Sequence, residues 1–213
     1  MQIDVYHDTV CPWCRIGKRH LQLALAEWDG EPVNVTYRTF FLNPDIPPEG
    51  YPFQSYMHTK GGGRMPLEGW FAAPRDAGAR VGLTFDFERI EHAPNSTLSH
   101  QLIALTPEDQ REAIIDTIYA AYFEHGWNIG NIDVLVSIAE QSGLDADDMR
   151  DALSSNACHD EVMSDFRQSQ QIGVTGVPFF VIDNRLALSG AQPPAVILDV
   201  LQQALTMREE DKS

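Results

Sequence analysis

Residues 3–17, reading IDVYHDTVCPWCRIG, constrain this chain more than any other stretch. Ile3, Val5 and Tyr6 read as a short buried strand, and His7, Asp8 and Thr9 break it. From Pro12 onward apolar residues recur three and four apart, through Ile16, Leu21, Leu25 and Trp28, which predicts a helix. Pro12 suits its first turn, because the missing N–H would have had no intrahelical partner there. A cysteine just ahead of that turn points its sulfur at unpaired backbone N–H groups and the positive end of the helix dipole. A thiolate is favoured in such a place, so Cys11 is the expected nucleophile. Arg15, Lys18 and Arg19 add positive charge one to two turns on. Cys14, three residues along, is placed to resolve a mixed disulfide formed at Cys11.

Two other readings of the pair stay open on residues alone. Cysteines at this spacing serve as half of a zinc site when two more ligands join them, and Cys158 with His159 would complete the count. They also occur as a purely structural pair. The strand–Cys-x-x-Cys–helix order favours redox chemistry over both.

With 213 residues the chain is long enough for one large domain or a core fold carrying an inserted lobe. Its 31 acidic against 15 basic residues give a net charge of −16, which argues against a nucleic-acid or anionic-membrane partner. No stretch approaches the ~20 apolar residues needed to span a bilayer. Met1 runs into strand sequence without a leader pattern, and three cysteines fit a catalytic pair better than a disulfide scaffold. The expected compartment is the cytoplasm.

Further along, residues 33–41 alternate as a second strand, so the opening is a βαβ unit. The period is helical from 52 to 165, with helices expected at 52–59, 67–81, from 97, from Thr106, at 132–142 and at 145–153, and a helical run over 154–166. Gly61, Gly62 and Gly63 interrupt this block, residues 85–87 read as extended, and Thr106-Pro107 reads as a threonine cap followed by proline in the first turn. Strand sequence resumes at 174–182. Asp183-Asn184 turns the chain antiparallel through 185–190. A helix over 193–205 closes the fold, and 207–213 reads as a frayed tail. The expected organisation is an α/β domain in two parts, 1–51 and 166–213, around an inserted helical lobe at 52–165.

This order resembles the DsbA-like branch of the thioredoxin superfamily over essentially the whole chain. DTVCPWCRIGK at 8–18, HAPNSTLSHQL at 92–102, NIGNIDVL at 128–135 and VTGVPFFVID at 174–183 are similar to the FrnE-type group of cytoplasmic DsbA-like oxidoreductases. The resemblance implies a thioredoxin-like fold with a large all-helical insertion and thiol–disulfide exchange at Cys11 and Cys14. It also implies a cis peptide bond before Pro178, with Pro178 against the thiols and the Val177 backbone turned toward an extended substrate. Pro12 and Trp13 then belong to the substrate-contacting surface. By resemblance to 2-hydroxychromene-2-carboxylate isomerases and kappa-class glutathione transferases, the Asn95 region lines the cleft between lobes. No tightly bound cofactor is implied, and glutathione enters as reductant or co-substrate. The implied partners are protein or small-molecule disulfides, a thioredoxin or glutathione system, and a second copy in a homodimer.

Several residues keep two readings. Asn95 contacts substrate or caps a helix. His7 modulates the thiols or joins a polar network at the sheet edge, and His100 is either a modulator or a packed histidine. Cys158, without a neighbouring cysteine, reads as a structural thiol. Three function classes compete: dithiol–disulfide exchange, glutathione-dependent isomerisation or transfer on a small aromatic or polyketide-like molecule, and a peptide-binding chaperone module. Serine at the first active position typifies the second class, whereas this chain has cysteine at both.

Overall fold

The computed structural model describes residues 1–62 and 67–211; Gly63 of the glycine run and the last two residues of the expected tail lie outside them. The axis of the fold is β1 (Gln2–His7). On one side it pairs in parallel with β2 (Asn34–Thr39), from Gln2 opposite Asn34 to His7 opposite Thr39. On the other it pairs antiparallel with β5 (Phe179–Ile182), which turns into β6 (Leu186–Ser189). The sheet order is β2-β1-β5-β6. The turn between β5 and β6 has Asp183 and Asn184 both left-handed, at φ 50° and 54°, the tight reversal their residue types allow.

Strand alternation then sorts the core. Ile3 and Val5 face α1 (Pro12–Glu27) and the closing helix α9 (Pro194–Glu210), packing with Leu21, Phe180, Ile182 and Leu201. Tyr6 faces the opposite side, against Phe40, Phe41 and α8 (His159–Gln171), which supplies Val162 and Phe166. Full burial of each such aliphatic or aromatic side chain is worth roughly 1.5–3 kcal/mol.

Between β2 and β5 the chain builds the helical insertion. A two-stranded pairing of β3 (Tyr51–Pro52) with β4 (His92–Ala93) closes its base. Around it stand α2 (Phe53–Lys60), α3 (Leu67–Ala79), α4 (Thr97–Leu105), α5 (Glu108–Phe123), α6 (Ile132–Gln141) and α7 (Ala146–Ser154). The core of this lobe includes Cys11, Cys14 and Ile16, so the first turns of α1 are buried in the insertion while its later turns lie on the sheet.

Four local expectations are corrected. Thr106 does not cap α5: it ends α4, donating its hydroxyl to the Leu102 carbonyl at 2.7 Å, and α5 starts after Pro107 without a side-chain cap. The helical run at 154–166 is broken, because Asn156 adopts φ 54° and redirects the chain into α8. Residues 87–89 form a 3₁₀ turn, seating Phe85 and Phe87 as stacked rings 5.4 Å apart. Finally, α9 runs on to Glu210, where Arg208 pairs with Glu31 and, at 2.8 Å, with Asp183.

Candidate active site

The end of β1 and the start of α1 are joined by a turn in which the Cys11 N–H donates to the Asp8 carbonyl at 3.0 Å. Cys11 is the residue before the helix, extended at φ −97°, ψ 112°, and its sulfur accepts the Cys14 N–H at 3.3 Å. That is the N-terminal placement expected from Pro12. On its other side the Cys11 thiol faces the Val177 carbonyl at 3.6 Å. The Val177–Pro178 bond is cis. Cys11, Cys14, Val177 and Pro178 thus converge, although the proline arrives from the far end of the chain.

The convergence depends on a residue that sequence reasoning passed over. A Cβ placed on Gly17 would lie 2.7 Å from Pro178 Cγ and 3.3 Å from the Phe180 ring. Only a glycine lets the second turn of α1 come this near the proline. The Pro178 carbonyl is held in turn by the Gly190 N–H at 2.8 Å. Gly17 stands within the quoted motif, and what it touches is separated from it by most of the sequence.

Both cysteines are buried, at 3% exposure for Cys11 and 1% for Cys14, whereas Trp13 between them is 39% exposed. Burial pushes the Cys14 thiol well up, and its hydrogen bond to Cys11 and the Cys11 charge add to this; a backbone hydrogen bond from Asp8 pulls the other way. Cys14 is therefore held as a thiol until it is called on to react. The cationic residues of α1 are not a free field around the pair. Arg15 donates to the Thr84 carbonyl at 2.7 Å and pairs with Glu124, and Lys18 meets Asp116 at 2.7 Å and Glu112 at 3.4 Å. These charges pin α1 to the insertion. A cation buried as deeply as Lys18 requires such partners.

Behind the thiols lies a polar cluster. His7 is buried with Nδ1 2.9 Å from the Tyr119 hydroxyl, which also reaches the Asp8 carbonyl at 3.4 Å. Burial, then the neighbouring His100 and Lys18, push His7 well down, so it is neutral in the folded chain. The Asp8 carboxylate, fully buried, accepts the Leu42 N–H at 2.8 Å and the Val10 N–H at 3.3 Å. His100 comes from α4, with Nε2 3.6 Å from Asp8 Oδ1. His7 and His100 thus meet, ring centroids 5.2 Å apart. Asp8 and Tyr119 were not singled out in the sequence; Asp8 opens the cysteine motif, while nothing local marks Tyr119.

In front of the thiols lies a cavity of about 230 Å³. Val10, Pro12 and Trp13 form one wall, and Phe53, Trp70 and Phe71 another. The Asn95 region reaches it through Ala93 and Pro94, while the Asn95 side chain is engaged elsewhere. Its amide ties the Ile46 carbonyl to the loop and accepts the Thr97 N–H at 2.9 Å, starting α4. Cys158 precedes α8 as a free thiol. Among the described residues no group of three or more His, Cys, Asp or Glu is arranged to hold a metal, so Cys158 and His159 do not complete a zinc site with the pair. Nor, among them, is any helix long and apolar enough to cross a membrane.

The model of the DSBA-like thioredoxin domain matches residues 2–202, and the chain belongs to that family. The crystal structure of the probable DsbA oxidoreductase SCO1869 from Streptomyces coelicolor superposes with a TM-score of 0.89 at 33% identity, covering 97% of this chain and 90% of that one. YwbO of Bacillus subtilis (strain 168), an uncharacterized protein, is 25% identical over 100% of this chain and 99% of its own length. The cytosolic disulfide reductase DsbM from Pseudomonas aeruginosa with GSH shares the fold at a TM-score of 0.65 and 19% identity, covering 95% of this chain and 100% of its own. Fold, family and paired thiols define a thiol–disulfide redox enzyme with a thioredoxin-like core and an extensive helical insertion.

Proposed function

We propose that Cys11-Pro12-Trp13-Cys14 is the redox centre of a cytoplasmic dithiol–disulfide oxidoreductase or isomerase of the FrnE-type group. The observation that carries this reading is the placement of Cys11 at the start of α1, with Cys14 one turn in and Val177–Pro178 against the pair. Cys11 attacks one sulfur of a substrate disulfide, and the other leaves as a thiolate. Cys14 then attacks the Cys11 sulfur of the mixed disulfide, closing Cys11–Cys14 and releasing the second substrate thiol. The Val177 backbone aligns an extended substrate beside Cys11, with Pro12 and Trp13 as the contacting surface. Protein or small-molecule disulfides are the substrates, and glutathione or a thioredoxin-like system reduces the enzyme again. The cytoplasmic setting rests on cysteine economy, since the chain has three cysteines, two of them in the motif.

Equilibration of wild type and Cys14→Ser in glutathione redox buffers tests this. Wild type should show a reversible dithiol–disulfide transition, and Cys14→Ser should instead accumulate a glutathione adduct on Cys11. Absence of any wild-type transition would sink the reading.

The apolar front cavity favours a second reading, glutathione-dependent conversion of a small aromatic or polyketide-like molecule. Under it, glutathione-dependent turnover of such a molecule survives in Cys14→Ser while disulfide exchange is lost.

A further inference from the structure

The front cavity ends on an aromatic wall. A second, smaller cavity of about 140 Å³ lies beyond it, and Phe53, Phe71, Phe87 and Ile90 line both. On its outer side the second cavity is bounded by Gln54 and by the Arg75–Glu88 ion pair, at 2.6 Å. Phe71 of α3 is the middle of the wall. Its ring stacks on Phe53 of α2 at 5.7 Å and on Phe87 at 4.2 Å, with planes 19° and 16° apart. Phe85 continues the stack beyond Phe87, and the Phe123 ring of α5 meets Phe85 edge-on at 5.1 Å. A ring stacked on two others from different elements loses both contacts if it swings aside. None of Val10, Pro12 and Trp13 lines the second cavity, so Phe71 closes the front one on the side away from the thiols.

We propose that Phe71 is the end wall of the substrate site and limits the enzyme to small disulfides whose apolar half is no larger than a single substituted aromatic ring. The proposal rests on the dithiol reading above and names a substrate class for it. Volume sets the limit, since an apolar cavity of about 150 Å³ accepts one benzene. The front cavity, at about 230 Å³, therefore takes one ring with short substituents. A second ring linked to the first meets Phe71, and the space it needs lies on the other side. With a substrate of the right size, the Cys11 thiolate bonds to the ring-bearing sulfur. The S–S bond breaks, and the other sulfur leaves as a thiolate with that electron pair. Cys14 then bonds to the Cys11 sulfur and expels the ring-bearing thiolate. The two cysteines are oxidised by two electrons and the substrate disulfide is reduced by two. The two protons the cysteines give up reach the two substrate thiols through solvent.

Of the four shared residues, Phe71 is the one that can set this limit without holding the lobe together. Phe53, Phe87 and Ile90 are buried members of the insertion core. Phe71 is half-buried and packs against that core from the cavity. Removing its ring joins the two spaces and leaves the core residues in place.

The test uses the mixed disulfides of glutathione with benzyl thiol and with 4-phenylbenzyl thiol, which differ by one ring. Glutathione disulfide, which brings no ring, is the reference. Full-length reduced protein carries Cys158→Ala throughout, so that Cys11 and Cys14 are its only thiols. Each substrate is added by rapid mixing, the reaction is quenched with acid, and closure of Cys11–Cys14 is followed by mass. Every rate is divided by the same protein's rate with glutathione disulfide. With Phe71 intact, the benzyl substrate should be preferred over the phenylbenzyl one by at least about tenfold. Phe71→Ala should shrink that preference at least about tenfold by raising the phenylbenzyl rate, with Phe71→Leu in between. Loosened packing alone slows the substrates together and cannot speed the longer one. Equal rates for the two substrates with Phe71 intact would overturn the size limit. An unchanged preference in Phe71→Ala would overturn the role of Phe71, and if that variant does not fold Phe71→Leu decides. Failure to close Cys11–Cys14 even with glutathione disulfide would bring down the dithiol reading itself, an outcome visible before Phe71 is touched.

Discussion

The two sides of the thiol pair are built from opposite materials. The front is a roomy aromatic cavity, about 230 Å³, walled by Trp13, Phe53, Trp70 and Phe71. The back is a cramped polar one, about 30 Å³, walled by His7 and His100, by the ion-paired Arg38 and by Arg111, which donates to backbone carbonyls. The cysteines themselves are split the same way, Cys11 toward Val177 and Cys14 toward Asp8. An apolar wall binds by area and tolerates varied shapes. A buried polar wall persists only when its groups find partners. The difference teaches a division of materials: the front presents apolar surface beside Cys11, and the back packs polar groups behind the pair. The insertion supplies much of both sides, which is a reason for a thioredoxin-like sheet to carry so large a helical lobe.

The strongest blow to this division falls on the sulfurs. Cys11→Ser should cut disulfide reduction by at least about a thousandfold, because an alcohol replaces the thiolate nucleophile. An insulin-reduction assay reads this directly. Retained activity would mean that front and back serve something other than the pair.

Next in size is the wedge between them. Gly17→Ala puts a methyl group 2.7 Å from Pro178 Cγ, so helix and proline loop must part. Overpacking of this kind costs about 1–3 kcal/mol. In a chain of this length that lowers Tm by roughly 2–4 °C per kcal/mol. Calorimetry should show the loss, and exchange should slow as Val177 withdraws from Cys11. An unchanged Tm would show that the close approach is not needed.

How much of this was legible in the sequence follows range along the chain. Pro12, the strand before it and the cysteine spacing act within a few residues of each other, so the redox start of α1 could be read directly. Pro178 could be paired with the thiols only through the motif around it, since nothing local says which distant turn it meets. Arg15 and Lys18 advertised their charge but not their partners, and Glu124 and Asp116 turned an expected field into struts. Asn156 hid a chain reversal inside a helical pattern because Asn adopts φ 54° with little penalty. Thr106 was misread for a related reason. Its hydroxyl had two helix ends within reach, and the preceding one took it. The polar back was the least legible part, since His7, Asp8, His100 and Tyr119 share a site only after three elements have packed.

A smaller effect is expected at the rim of the front. Trp13→Ala removes an exposed ring from the wall of the cavity while leaving both sulfurs in place. KM for an aromatic disulfide should rise by about three- to tenfold, the value of a partial apolar contact, with kcat little changed. A fall in kcat at constant KM would move Trp13 from the substrate surface into the chemistry.

The smallest effect belongs to the back, and it is a matter of pH. His7 is held below its ordinary range by burial, then by His100 and Lys18, so folding disfavours its protonated form. The unfolded chain protonates this histidine near pH 6.5 while the folded chain does not. Between the two values the unfolded state binds more protons, so stability rises with pH there. His7 therefore costs nothing well above about pH 6.5 and destabilises progressively below it, down to its folded value. His7→Gln removes the titration while keeping a partner for the Tyr119 hydroxyl. Its Tm should fall less than that of wild type between about pH 7.5 and about pH 5, whatever offset the substitution brings at the higher pH. Parallel curves would mean that a proton reaches His7 in the folded state as readily as in the unfolded one, and the back of the site would then be wetter than its packing implies.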